Sequence, residues 1–461
     1  MINILVRYLG IKTKLLEPIK NAIDDITPSQ KGVLDLFAGS SSVGQYLLND
    51  YVVYANDYQE YSYITAKALI EYHSPETIDS LNINVVLGDY YKQNKKELYT
   101  RFSTPLKEER DLLNNIGEVF WGETFDKYRD YFERSAYIGN TENIHPSFDD
   151  CVDYFDADNL QLFRQNTSRF PYSLFTLYYG NPYFSLHQCI EIDSIKYSID
   201  KLYEEKIISE EEKDIYMSFL LYCLNLIVIS VGDHFAQPQK IKAVSPDLSG
   251  PRDRINLRER KKIITKKRIN VIDLFTEKLT DYKSNYVYGD KHNRAFNQDF
   301  KELLNSDILN DLDINTVYID PPYTNAHYSR FYHIPETLVK YDYPEIEFAG
   351  RYRTDRFQSG FCIKSQAPYE FSEMLRLCKS KNYDIVISYS DTTQCILSID
   401  EITELCKQYY GSSIKIDNID HMYRNFGQKP NRILAKEYLI TCKTEECSNE
   451  EIHGEQKQNT P

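Results

Sequence analysis

Short apolar runs that end in turn residues alternate along the chain with segments of helical periodicity. Val33–Gly44 indicates a strand, a small-residue turn and the start of a helix. Further predicted elements are strands at Tyr51–Ala55, Ile314–Ile319 and Tyr383–Tyr389, a strand-like segment at Leu174–Tyr179, a closing antiparallel hairpin at Ile414–Ile419 and Ala435–Thr441, and helices at Ile192–Glu205, Glu210–Ile229 and Tyr369–Ser380. This alternation favours an α/β fold.

The turn after the first predicted strand has the composition of a nucleotide-binding loop. Gly39 allows the backbone to approach a ligand closely, and Asp35 lies at the carboxyl end of the strand. Asp57 follows the next strand at the spacing where such folds bind ribose hydroxyls. The turn reads GSSSVG and lacks the G-x-G-x-x-G fingerprint, and no second nucleotide-binding half follows, which disfavours a dinucleotide dehydrogenase.

The strand Ile314–Ile319 ends in Asp320, Pro321, Pro322 and Tyr323. Two consecutive prolines fix a turn just past the strand and present a carboxylate, a carbonyl and an aromatic ring. An aromatic amino group is a poor nucleophile because its lone pair is drawn into the ring. Hydrogen bonds to Asp320 and to the Pro321 carbonyl would localise that pair, while Tyr323 stacks on the base.

Together these motifs resemble the Dam-like (alpha) class of N6-adenine-specific DNA methyltransferases. DLFAGSSSVG matches the S-adenosylmethionine loop of that class, and DPPY matches its catalytic loop, in the same order. Arg7–Leu16 is similar to its opening motif, with Tyr8 and Lys12 on the matching positions and Ile11 replacing the second Gly. Asn297–Phe300 resembles the segment whose acid touches the cofactor adenine, which is Asp299 here.

The resemblance implies a Rossmann-like methyltransferase sheet, S-adenosyl-L-methionine as cofactor and no metal. The catalytic residues implied are Asp320, Pro321, Pro322 and Tyr323, and the cofactor-binding residues are Tyr8, Lys12, Asp35, Phe37, Gly39, Asp57 and Asp299. Ser388–Asp391 is similar to the strand end that borders the target pocket. His327 and His333 near the catalytic turn, and Tyr332, Arg351 and Arg353 in a following lid or clamp, are further candidates, each with packing or a surface connection as the alternative.

Two segments compete with these assignments. Gly88-Asp89 is a rival for the adenine-binding acid, but Asp299 lies only one helix from the catalytic strand. Asn181-Pro182-Tyr183-Phe184 is a rival catalytic loop that lacks the second proline, so we predict a structural turn there.

Charge is distributed unevenly along the chain. The 54 basic and 69 acidic residues give a net charge of −15, yet Lys240–Arg268 is dense in Lys and Arg. This segment predicts contact with a phosphate backbone through Arg252, Arg254, Arg258, Lys261 and Lys262, with a solvated helix face as the alternative. The nine cysteines contain no C-x-x-C pair and the histidines show no metal spacing, so neither a disulfide framework nor a zinc site is indicated.

The positions of the motifs suggest how the chain is divided. Residues 1–72 form the cofactor half and 284–443 the catalytic half of one domain, 73–283 form a large, mainly helical insertion, and 444–461 form a disordered tail. In the family that the motifs resemble, the insertion is the target-recognition region that binds DNA.

The expected activity is methylation of adenine N6 in duplex DNA by base flipping, within a restriction-modification or phage-defence system. Duplex DNA is the expected partner, and a cognate restriction endonuclease is a second candidate. A cytosine-N4 or RNA amino-methyltransferase and a non-catalytic DNA-binding accessory subunit remain open. No apolar run is long enough for a bilayer and no export signal is evident, so we expect a cytoplasmic protein without membrane contact.

Overall fold

A seven-stranded sheet forms the centre of the molecule. The computed structural model describes residues 12, 15–29, 31–392, 394–424 and 432–444. The strands are β1 (Gly32–Asp35), β2 (Val52–Asn56), β3 (Arg294–Phe296), β4 (Ile314–Ile319), β5 (Asp384–Asp391), β6 (Ile414–Arg424) and β7 (Arg432–Cys442). Their order is β3-β2-β1-β4-β5-β7-β6, and β7 runs antiparallel to both neighbours while the other pairs are parallel. The predicted α/β, Rossmann-like sheet is confirmed.

The sheet has a topological switch point between β1 and β4. From β1 the chain proceeds to β2 and β3 on one side, and from β4 to β5 on the other. Asp35 pairs with Tyr318, so the carboxyl ends of β1 and β4 lie side by side. Ligands of open α/β sheets bind in the crevice at such a point.

Both faces of the central strands are buried, as parallel sheets require. Val33 and Val53 join one hydrophobic cluster, whereas Leu34 and Val317 join a second cluster on the opposite face. This division follows the alternation of side chains along a strand.

Helices surround the sheet and fill the long segment between β2 and β3. They are α1 (Leu16–Asp24), α2 (Ser42–Leu47), α3 (Glu60–Ile70), α4 (Pro75–Ser80), α5 (Ile83–Val86), α6 (Asp89–Arg101), α7 (Ser103–Asn115), α8 (Glu123–Glu133), α9 (Asn159–Gln165), α10 (Leu174–Tyr179), α11 (Leu186–Glu204), α12 (Glu210–Ile227), α13 (Asp253–Lys267), α14 (Val271–Asn285), α15 (Phe300–Asn305), α16 (Tyr328–Phe331), α17 (His333–Lys340), α18 (Ala367–Ser380) and α19 (Ile399–Tyr410). Short 3₁₀ segments occur at Pro146–Phe155, Val231–Asp233, Asp307–Asp311 and Gly360–Cys362, and a small hairpin pairs Ile346–Glu347 with Tyr352–Arg353.

Residues 73–283, the predicted insertion, contribute helices and no strand to the large sheet. Ser185 and Ser209 begin α11 and α12 with complete capping boxes, which fixes where these two helices start. The largely buried α12 packs against α3 and α14, so the insertion shares one hydrophobic cluster with the sheet.

The strand-like prediction for Leu174–Tyr179 is wrong, because this segment is helix α10. The buried Asp193 carboxylate accepts hydrogen bonds from the Phe175 and Thr176 amides, at 2.8 Å each, and thereby satisfies the first N–H groups of the helix. The next residues form the predicted structural turn, which Lys267 stabilises by donating to the carbonyls of Asn181 and Phe184.

Several predictions fall outside the described residues: Tyr8, the connection of the closing hairpin at residues 425–431, and the tail beyond Thr444. In the part of the chain that the structure describes, no helix is both long enough and apolar enough to cross a bilayer.

Candidate active site

One cavity lies at the carboxyl ends of β1, β2 and β4 and joins the two principal motifs. Its volume is about 280 Å³. The predicted site residues that line it are Lys12, Asp35, Phe37, Gly39, Asp57, Asp299, Asp320, Pro322 and Tyr323. Pro321 is buried behind the wall. The glycine loop and the proline turn therefore share a single chamber at the switch point of the sheet.

The loop after β1 is held in a fixed shape by Asp57. Gly39 has φ = 51°, a conformation that glycine adopts without strain. Its amide donates to Asp57 Oδ2 at 2.9 Å, and the Gln59 amide donates to Asp57 Oδ1 at 2.9 Å. Burial raises the pKa of Asp57 to about 6 despite these bonds. Asp57 also lines the cavity, so its carboxylate is within reach of a ligand bound there.

Asp35 is a buried carboxylate in an unfavourable setting. It is 2% exposed, and its pKa is raised to about 8, first by burial and then by the nearby charges of Asp320 and Asp57. Backbone N–H groups of Gly44 and Phe37 oppose that shift. Its Oδ1 has no hydrogen-bond partner among the described residues. A cationic ligand would satisfy both the orphaned oxygen and the excess negative charge.

Three phenylalanines form an aromatic wall on the other side of the cavity. The ring centroids of Phe37, Phe300 and Phe361 lie 5.3–5.9 Å apart in every pairing. Asp299 is beside them, where its Oδ1 accepts the Lys301 amide at the start of α15. A planar ring with an amino group fits an aromatic wall next to a carboxylate. The rival Asp89 begins α6 and does not line the cavity.

The catalytic turn is tied to the loop that follows β5. The Ile396 amide donates to the Tyr323 carbonyl at 2.9 Å, and Thr324 forms a β-bridge with Cys395. The Tyr323 ring packs against Tyr389 of β5, with centroids 5.4 Å apart. These contacts hold the Tyr323 ring against the cavity, as a stacking platform requires.

Asp320, Lys12 and Glu437 form a network of charged side chains, of which the sequence analysis identified the first two. Lys12 Nζ lies 3.2 Å from Asp320 Oδ1 and 2.5 Å from Glu437 Oε1 on β7. Burial raises the pKa of Asp320 to about 6; Lys12 lowers that pKa and Glu437 raises it. Glu437 was missed, although one carboxylate within the apolar run Ala435–Thr441 was a visible signal.

A second feature that the sequence analysis missed is an aromatic pair, Tyr58 and Phe357, in the lining of the cavity. Tyr58, at the end of β2, stacks on Phe357 with ring centroids 3.8 Å apart. Phe357 begins a segment that lines the chamber as far as Phe361. No motif in the sequence marks this pairing, because it joins residues 299 positions apart.

The remaining candidates near the catalytic turn divide into two groups. His327 lines the cavity. His333 is buried, meets the Phe235 carbonyl through Nε2 at 3.0 Å, and has its pKa lowered to about 3 by burial. The other three are also interior and do not line the chamber: Tyr332 stacks on Tyr61, Arg351 lies over the Tyr137 ring, and Arg353 pairs with Asp342 and Asp355.

The basic segment forms helix α13 and the residues before it. Arg252, Arg254, Arg258 and Lys261 are exposed and Lys262 is half-buried. Other cations of the run serve the fold: Arg260 donates to the carbonyls of Lys242 and Phe120, Lys266 to Val228, and Arg268 to Leu113 and Ile116. The exposed cations of the run therefore include the predicted Arg252, Arg254, Arg258 and Lys261, together with Lys240 and Lys242, which were not in the predicted set.

Comparison with known proteins agrees with this geometry. The family model described as D12 class N6 adenine-specific DNA methyltransferase matches residues 8–168 and 264–423. The modification methylase LlaI of Lactococcus lactis subsp. lactis is 25% identical over 405 residues, 87% of this chain and 49% of that protein. The modification methylase StsI of Streptococcus sanguinis is 22% identical (92% and 49%), and the type II methyltransferase M.FokI of Planomicrobium okeanokoites is 23% identical (87% and 47%). The chain spans about half the length of these relatives.

Proposed function

Because the chain belongs to the D12 class N6 adenine-specific DNA methyltransferase family, we propose that it transfers a methyl group from S-adenosylmethionine to N6 of adenine at a specific site in duplex DNA. The observation that carries this proposal is the single cavity that contains both the glycine loop and the DPPY turn. A donor and an acceptor bound there would face each other, as direct transfer requires.

The residues of the chamber fit S-adenosylmethionine. The orphaned Asp35 Oδ1 suits the ammonium of its methionine part. Asp57 suits the ribose hydroxyls, and the phenylalanine wall with Asp299 suits the adenine ring and its amino group. When bound, the cofactor supplies a methyl group on a positively charged sulfur.

The residues of the turn would prepare the acceptor nitrogen. An extruded adenine would lie on Tyr323, with an N–H group of its amine donating to Asp320, which lines the chamber, whereas Pro321 does not line it. Asp320 has a pKa of about 6 and is therefore mostly anionic at neutral pH. Transfer of that methyl group to N6 would require N6 to give up one proton, and Asp320 would accept it.

The test is product analysis. Full-length protein is incubated with unmethylated DNA and labelled S-adenosylmethionine, the nucleosides are analysed, and the modified positions are mapped by sequencing. N6-methyladenine at one sequence context supports the proposal. N4-methylcytosine, methylation of RNA alone, or cofactor binding without any product would each overturn it in favour of the corresponding alternative.

We further propose that α13 contacts the phosphate backbone and that the protein acts beside a restriction endonuclease. Its exposed cations support the first proposal, and the names of the three relatives support the second. Counter-ions released from DNA by these side chains would make the affinity fall steeply with salt.

Charge reversal on α13 tests the phosphate contact. The double variant Arg258→Glu, Lys262→Glu should weaken binding to every DNA sequence and reduce the slope of log affinity against log salt by about 2. Fluorescence anisotropy over a salt series measures both quantities. The matched control is Arg376→Glu, Lys407→Glu, which makes the same charge change on exposed positions of α18 and α19. Equal effects of the two double variants would contradict the assignment.

A further inference from the structure

A carboxylate lies beneath the catalytic turn without reaching the cavity. Glu437 is on β7, is 0% exposed, and does not line the chamber. Two donors approach its Oε1: Lys12 Nζ at 2.5 Å and Ser388 Oγ at 2.6 Å. Burying a carboxylate costs several kcal/mol before pairing, and an apolar residue of similar volume is often at least as stabilising. The fold alone therefore gives little reason for a charge here.

We propose that Glu437 is a positioning residue for methyl transfer, which holds Lys12 against Asp320 Oδ1 and so leaves Asp320 Oδ2 for the amino group of the target base. This inference rests on the proposed function.

The distances indicate that Glu437 positions Lys12, and that Lys12 positions Asp320. Lys12 is closer to Glu437, at 2.5 Å, than to Asp320, at 3.2 Å. Glu437 is fixed by its place in the β5–β7 ladder, opposite Ser390. Lys12 lies outside the sheet, before α1, and its ammonium contacts both carboxylates. Strand β7 therefore holds Glu437 in place, and Glu437 positions the Lys12 ammonium. The ammonium in turn positions the Asp320 carboxylate that would contact the substrate, as supporting residues do in other sites.

The pairing also joins distant parts of the sequence. Lys12 and Glu437 are 425 positions apart, and Ser388 comes from β5, the strand between β4 and β7 in the sheet. The contacts that orient the catalytic carboxylate therefore form only when β7 has paired with β5 and Lys12 lies against both Asp320 and Glu437.

Substitution of Glu437 by Gln preserves the shape and removes one charge. We expect kcat to fall about 10- to 100-fold, because small displacements of a reacting group have effects of this size. KM for S-adenosylmethionine should stay within about threefold, since the substitution leaves Asp35, Asp57 and Asp299 in place and changes only the partner of Lys12.

The pH profile separates positioning from a purely structural role. The charged groups that face Asp320 are Lys12, Glu437 and Asp35, with the hydroxyls of Tyr318 and Tyr328 nearby. Loss of the Glu437 charge lowers the pKa of Asp320, so the acidic limb of kcat should move to lower pH in Glu437→Gln. Lys12→Met removes the neutralising cation and should move the limb to higher pH.

An ion pair elsewhere in the protein, made by a buried glutamate with a partly exposed lysine, provides the control. Glu191 is 1% exposed and lies 2.7 Å from Lys95 within the insertion. Glu191→Gln should leave kcat and its pH limb unchanged, whatever it does to the melting temperature. If Glu437→Gln does not fold, Ser388→Ala takes its place, because it removes one hydrogen bond to Glu437 without a charge change; a smaller fall in kcat is then expected.

The outcomes are distinguishable. Unchanged kcat and pH limb in a folded Glu437→Gln, or unchanged kcat in Ser388→Ala where that variant is needed, would overturn the positioning role while wild-type protein still makes N6-methyladenine. A wild-type protein that makes no N6-methyladenine would overturn the proposed function as well.

Discussion

Asp320→Ala should abolish methyl transfer while the protein continues to bind S-adenosylmethionine. The substitution removes the acceptor that draws the amino lone pair out of the ring, and loss of one such electrostatic contact costs about 10²- to 10³-fold in rate. Because proton acceptance is lost as well, we expect kcat to fall about 10³-fold or more. Single-turnover assays with labelled cofactor measure the rate, and equilibrium dialysis measures cofactor binding.

The charge network explains why this variant should fold. Lys12 keeps its 2.5 Å contact with Glu437 when Asp320 is gone, so no buried cation is left unpaired. The Asp320 charge raises the pKa of Asp35. Loss of that charge should therefore lower the pKa of Asp35 and favour its ionised form. Cofactor affinity should therefore be retained or slightly improved.

The control lies on the same strand segment. Asp313 immediately precedes β4, is exposed, and pairs with Lys31. Asp313→Ala should retain wild-type kcat within about twofold. Substantial transfer by Asp320→Ala would refute the catalytic role, and equal losses in both variants would indicate damage to the strand instead.

The sequence predicted those parts of the site in which the chemistry is local. Gly39 and Asp35 lie on one strand and its turn, and Asp320 to Tyr323 are contiguous, so residue type and spacing carried the information. The parallel sheet followed from apolar runs buried on both faces, and the closing hairpin followed from its alternation.

The spacing of residues along the sequence did not reveal the contacts between side chains that are far apart in the chain. Glu437 is recognised as part of the site through its contacts with Lys12 and Ser388. Phe361 is recognised through its contacts with Phe37 and Phe300. These residues are distant in sequence and meet only in the folded protein. Likewise α10 has strand-like composition, and the distant carboxylate of Asp193 makes it helical by capping its first amides. Tertiary contacts overrode local propensity in each case.

Asp35→Asn should weaken S-adenosylmethionine binding and stabilise the empty protein. The carboxylate is 2% exposed and its Oδ1 is unpartnered among the described residues, so the cofactor ammonium is the ligand that would compensate it. Loss of a hydrogen bond between charged groups costs about 1.5–3 kcal/mol, which corresponds to about 10- to 150-fold in affinity. Isothermal titration calorimetry measures this loss.

The stability change has a definite dependence on pH. The folded-state pKa of Asp35, about 8, is above the ordinary value of an aspartate, 3.8. Between these values the unfolded state is ionised while the folded state holds the proton, so this group lowers stability progressively as pH rises from 3.8 to about 8. Asp35→Asn removes that slope, and its melting temperature should exceed that of wild type at pH 7.5 but approach it at pH 4.5.

Cofactor binding should show the complementary behaviour. An ammonium ligand prefers ionised Asp35, so wild-type affinity should rise between pH 6 and 7.5, and binding at pH 7 should release a proton. Calorimetry in buffers of different ionisation enthalpy detects this release. Asp50→Asn, an exposed carboxylate before β2, is the control and should keep both properties. Equal proton release by wild type and Asp35→Asn would show that another group, and not Asp35, receives the cation.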